Sequence, residues 1–111
     1  MRNKEPHVQT IYNRLLEHID TFGPFTLNPV KTAVQVKNGA TFLSIKLRRV
    51  SVQLEFQMKD SVAHPRIDKS FQISRNRVLH FLEIHHPDEV DELLISWIRQ
   101  AYILTAHDRN Y

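Results

Sequence analysis

VQVKNGATFLSIKLRRVSVQLEFQM, residues 34–58, is the stretch whose reading decides the fold. Its Asn38-Gly39 pair is the strongest short hairpin signal available, because both central positions of a type I′ turn need positive φ. With that turn, cross-strand partner numbers sum to 77: Val36 faces Thr41, Val34 faces Leu43, Thr32 faces Ile45 and Lys31 faces Lys46. Farther along, Val50, Val52, Leu54, Phe56 and Met58 alternate with Ser51, Gln53, Glu55 and Gln57, the period of a strand buried on one side. A turn at Arg48-Arg49 joins the two strands and pairs Leu47 with Val50, Ile45 with Val52 and Leu43 with Leu54, keeping the apolar residues on one face.

Outward from this core, Pro6 is followed by Val8, Ile11, Tyr12, Leu15, Leu16, Ile19 and Phe22, which line one stripe of a helix that Gly23-Pro24 stops. Residues 59–68 lack a period and hold Pro65, so they read as a loop. A last hairpin turns at Arg75-Asn76, pairs Ile73 with Val78 and Phe71 with His80, and runs on through Leu82 and Ile84. Val90, Leu93, Leu94, Trp97, Ile98, Ala101 and Tyr102 form a second helix ending near Ala106, opened by Pro87 and an acidic first turn of Asp88, Glu89 and Asp91. The expected architecture is a two-layer α+β domain, an antiparallel sheet of about five strands with two terminal helices packed on one face.

The chain of 111 residues fits one domain, 1–111, with its core at about 6–106. Its 41% apolar and 24% charged residues exclude a disordered or fibrous chain. Cysteine is absent, so stability must come from packing rather than from disulfides or thiolate metal sites. No apolar run is long enough for a signal peptide or membrane span, and the expected location is the cytoplasm.

The second half, Val78-Leu79-His80-Phe81-Leu82-Glu83-Ile84 followed by Pro87-Asp88-Glu89-Val90-Asp91-Glu92-Leu93 and Ala101-Tyr102, resembles the ending of a family of small bacterial domains of unknown function. The likeness extends to Phe42 with the strands after it and to the helix before Gly23-Pro24. The resemblance implies a domain found alone or as a C-terminal module of putative transport or nuclease-like proteins. It carries no activity. His86 stands where that family often places a good capping residue such as Ser.

Between Lys31 and Arg77 lie ten basic residues against three acidic ones, Glu55, Asp60 and Asp68. Lys31, Lys46 and Arg48 share the face away from the core, where Gln35, Gln53 and Phe42 are also expected, joined by Leu79 and Phe81 if the last strand keeps its parity. Directly opposed lysines repel, so a counter-charge is invited. Cations and amides mixed with aromatic rings on an open sheet are the surface that single-stranded nucleic acid uses, phosphates on the cations and bases on the rings. The competing reading is a solvated sheet in which lysines guard against edge pairing and Phe42, Leu79 and Phe81 meet a second copy in a homodimer.

Catalytic chemistry is poorly provided for. The seven histidines lack metal-ligand spacing, and His80, inward by parity between Val78 and Leu82, reads as a core histidine. There is no Gly-x-Ser-x-Gly elbow or phosphate loop. Gln57-Met58-Lys59 is faintly similar to the strand end of metal-dependent nucleases, with only Glu55, Asp60 and Asp68 near it in sequence. The expectation is a noncatalytic module without cofactor or metal that binds nucleic acid or another polyanion. The alternatives are a self-association domain and an accessory or minimal hydrolase using His80, His64 or the Lys59 region.

Overall fold

The computed structural model describes residues 4–108. Helix α1 spans Pro6–Asp20, with Pro6 at the first helical position, where its missing N–H costs nothing. Strands β1 (Thr26–Pro29), β2 (Val34–Asn38), β3 (Ala40–Leu47), β4 (Val52–Met58), β5 (Lys69–Ser74) and β6 (Arg77–Ile84) follow, then a 3₁₀ turn at Pro87–Glu89 and helix α2 at Glu92–Asp108. The strands make one antiparallel sheet in the order β1-β2-β3-β4-β6-β5. The fold class is therefore α+β, with six strands among the described residues where about five were expected.

The additional strand is β1. Its four residues are all exposed and include Asn28 and Pro29, so no apolar alternation marks it; proline also restricts it to a sheet edge, where it lies. Val30 N–H donates to the Ala33 carbonyl at 2.8 Å, which makes Lys31-Thr32 the turn of the β1–β2 hairpin.

Three registers depart from expectation while the core-facing residues stay nearly the same. In β2–β3 the expected two-residue Asn38-Gly39 turn does not form: Asn38 pairs with Ala40 and Lys37 with Thr41, with Gly39 (φ +83°) alone at the tip, and a bulge then sets Val36 against Leu43 and Val34 against Ile45. Lys31 is not opposite Lys46. The residue left over in the bulge is Phe42, which is not on the outer face: it is 1% exposed, its ring edge-on to Tyr102 with centroids 5.1 Å apart. Burying a phenylalanine outweighs the lost ladder pairing.

In β3–β4 the Arg48 N–H donates to the Ser51 carbonyl, so the turn is Arg49-Val50 and the pairs are Leu47 with Val52, Ile45 with Leu54 and Leu43 with Phe56. The start of α1 holds that turn. Glu5 N–H donates to the Arg49 carbonyl at 2.8 Å, and His7 Nε2 lies 2.7 Å from the Val50 carbonyl. In β5–β6 the Arg75-Asn76 turn forms, but a slip between Gln72 and Ser74 pairs Phe71 with Leu79 and Ser70 with His80. Phe71 thus leaves His80 and joins Leu79 and Phe81 outside.

One hydrophobic cluster unites Val8, Ile11, Leu15 and Ile19 of α1 and Leu94, Trp97, Ile98 and Ala101 of α2 with the inward residues of β2, β3, β4 and β6. The expected opening of α2 at Pro87 is replaced by two capped turns. Glu89 Oε1 accepts the His85 and His86 N–H groups, and Asp91 Oδ1 accepts the Leu94 N–H at 3.0 Å, so Asp91 caps α2 in place of the residue before Pro87.

Gly23 has φ +140°, and a Cβ there would lie 2.6 Å from the Tyr102 hydroxyl. That hydroxyl donates to the Pro24 carbonyl at 2.9 Å and ties the end of α1 to α2. Gly23→Ala is expected to cost about 1–3 kcal/mol through strain and the displaced tyrosine. Thermal denaturation checks it; an unchanged midpoint would refute the close approach.

Candidate anion-binding site

Lys31 and Lys46 do come together, by another route than cross-strand pairing. A hollow of about 470 Å³ lies where β2 begins and β3 ends, beside the β1–β2 turn, lined by Pro29–Val34, Ile45–Leu47 and Lys4. The tight hairpin turn projects Lys31, Lys46 is the penultimate residue of β3, and Lys4 is placed by the Glu5–Arg49 backbone hydrogen bond one residue on. Three lysines thus line one hollow, and no Asp or Glu is in its lining among the described residues.

Lys46 is also the cross-strand partner of Gln53, whose Oε1 accepts the Arg48 guanidinium at 3.1 Å, so Lys46, Arg48 and Gln53 form one polar group. Gln35 lies two strands from Gln53, and its Oε1 accepts Asn28 Nδ2 at 3.0 Å. Phe42 is absent from this surface, being buried. Acidic residues share the face: Glu55 sits between Ser44 and Phe81, and Glu83 opposite Gln53 accepts the Ser51 hydroxyl. Lys4 escaped the sequence reading because it precedes every periodic segment, and only the folded turn brings it to the hollow.

His80 and His64 are engaged structurally. His80 is fully buried, with its ring 5.5 Å from Phe56 and nearly parallel to it. Its Nε2 accepts the Val62 N–H at 3.0 Å, and its Nδ1 donates to the Val78 carbonyl at 3.0 Å, which fixes one neutral tautomer. Burial lowers its proton affinity and outweighs backbone hydrogen bonds that favour protonation. Both nitrogens are occupied, so no lone pair is offered to a substrate.

His64 accepts the Arg66 N–H through Nδ1 and meets Trp97 edge-on. Arg66 in turn donates to both Asp91 oxygens at 2.9 and 3.0 Å and to the Glu89 carbonyl, pinning the 59–68 loop to the start of α2. Burial pushes the Asp91 pKa up, but the Leu94 N–H and Arg66 more than compensate and hold it below the ordinary 3.8. Among the described residues no group of three or more His, Asp or Glu side chains could hold a metal, and no helix is long and apolar enough to cross a membrane.

The family model described as Domain of unknown function (DUF5655) matches residues 1–105. The chain belongs to this family. The DUF5655 match takes in all six strands, α1 and most of α2, so the lysine hollow and the His80 core both fall within the family domain. No curated protein and no solved structure matches the chain.

Proposed function

We propose that this DUF5655 domain is a noncatalytic, two-layer binding module whose helices cover one sheet face and whose other face, with the lysine hollow at its end, receives an anionic partner: a nucleic acid or a phosphorylated ligand. The observation that supports this reading is the lining of the hollow, which among the described residues holds Lys4, Lys31 and Lys46 and no Asp or Glu. The apolar remainder, from Val30 and Val34 to Ile45 and Leu47, makes it a formed concavity rather than a scatter of surface charge. The tethered nitrogens of His80 favour binding over catalysis.

The test is binding of labelled oligonucleotide and of polyphosphate at two salt concentrations. Affinity should fall steeply with salt, and Lys31→Ala with Lys46→Ala should weaken both ligands and flatten the salt slope by about one for each lysine that meets a phosphate. Neither substitution touches the core, so the melting curve should stay in place. Absence of binding at low salt, or identical binding by the double variant, would overturn the proposal; salt-insensitive dimerisation would point to self-association instead.

A further inference from the structure

The bulge in β5 creates a feature that the hollow does not explain. It turns Phe71 to the same side as Leu79 and Phe81, and the Phe71 and Phe81 rings meet edge to face with centroids 5.8 Å apart. Phe71 is 53% exposed. Lys69 joins them, its Nζ 4.9 Å from the Phe81 centroid and 5.8 Å from that of Phe71. A solvent-facing aromatic pair with a flexible lysine supplies a stacking platform and a phosphate contact in one place.

The register lays this platform on the same face as the basic group. One row across the sheet runs Asn28, Gln35, Ser44, Glu55, Phe81 and Lys69, and the adjacent row holds Lys46, Gln53 and Glu83. With strands about 4.8 Å apart and rows about 6.8 Å apart, Lys46 and Phe81 are separated by roughly 12 Å and Lys46 and Lys69 by roughly 16 Å. That is a few nucleotides of extended single strand. Glu55, between the two cations, repels phosphate but accepts hydrogen bonds from exocyclic amines of bases. A phosphate-only polymer gains nothing at the centre of this row, and a duplex hides its base faces.

Resting on the anion-binding reading above, we infer that the polyanion is single-stranded nucleic acid, lying across the open sheet with its phosphates at Lys31, Lys46 and Lys69 and a base stacked on Phe71 and Phe81. The experiment compares the full chain with the variants Phe71→Ala and Phe71→Tyr, against a labelled single strand of about ten nucleotides, its duplex and polyphosphate. Phe71→Ala is expected to weaken single-strand binding about ten- to a hundredfold, the effect of one base–aromatic stack, to leave polyphosphate binding unchanged and to preserve the melting curve; Phe71→Tyr retains the stack and should bind like the parent. If Phe71→Ala binds the single strand normally, or if duplex binds as tightly as single strand, the inference is overturned even when Lys31→Ala with Lys46→Ala still weakens every ligand. The converse, sensitivity to Phe71 without sensitivity to the lysines, would keep the platform and remove the hollow.

Discussion

Trp97→Ala is expected to destabilise the domain by about 3–5 kcal/mol, the cost of truncating a large buried aromatic and leaving a void. Trp97 is 5% exposed, lies nearly parallel to Phe56 of β4 with ring centroids 6.4 Å apart, and takes the edge of His64 at 5.3 Å from the 59–68 loop. It therefore joins three elements, α2, the sheet and the loop. A domain of this size has a total stability of about 5–15 kcal/mol, so the loss is a large fraction of it. Urea denaturation measures the change. The parent's tryptophan emission should be blue-shifted when folded and move to the red on unfolding; a solvent-like native emission, or a cost below about 1 kcal/mol, would contradict the packing.

Which face β2, β3, β4 and β6 bury was legible in the sequence, Phe42 apart, whereas register was not, and the reason is energetic. A slip by one residue would carry an entire apolar set into water, so parity is strongly fixed. A slip by two keeps every side chain on its face. The β3–β4 hairpin uses this freedom: Leu47 pairs with Val52 instead of Val50, because contacts from Glu5 and His7 hold the Arg49-Val50 turn, and no glycine there marks the position. Bulges are harder still to foresee. The one at Phe42 goes with the burial of its ring against Tyr102, the one at Ile73 lies in a strand that is exposed throughout, and neither leaves a local motif; yet the first removes an aromatic from the outer face and the second adds Phe71 to it.

The candidate site shares this mixed history. Lys31 and Lys46 were expected together through a pairing that does not exist, and they meet because an unsignalled edge strand folds Lys31 into a hairpin turn beside the end of β3. In α2 the periodicity found Trp97, Ile98 and Ala101, but Leu93, counted on the same stripe, is 41% exposed while Ile95 is buried. The distinction depends on how the helix is rotated against the sheet, which sequence spacing alone does not fix.

His80 is expected to hold the 59–68 loop to the core, and both substitution and pH should reveal it. The Val62 N–H has its partner in Nε2, and protonation of that nitrogen would turn the acceptor into a donor facing a donor. Because burial depresses the folded-state pKa below the ordinary 6.5, the unfolded chain binds more protons in the window from 6.5 down to the folded value. Stability from this group is then complete above about pH 6.5 and declines as pH falls through that window. Asp91, also depressed, adds a second loss only around and below its ordinary 3.8. The groups packed on the imidazole, Phe56, Val62 and Ser70, carry no charge that would offset the effect. His80→Asn places its amide near the former Nδ1, so it can keep the Val78 contact but strands the Val62 N–H; the expected cost is about 2–4 kcal/mol, from the orphaned donor and the lost ring volume. His80→Gln reaches the former Nε2 position with an acceptor oxygen and should recover part of that loss. Both variants should lose the His80 contribution to the decline in stability below pH 6.5. Denaturation curves of the three proteins at a series of pH values decide it: equal stability of His80→Asn and the parent, or an unaltered pH dependence in both variants, would show that the imidazole does not anchor the loop.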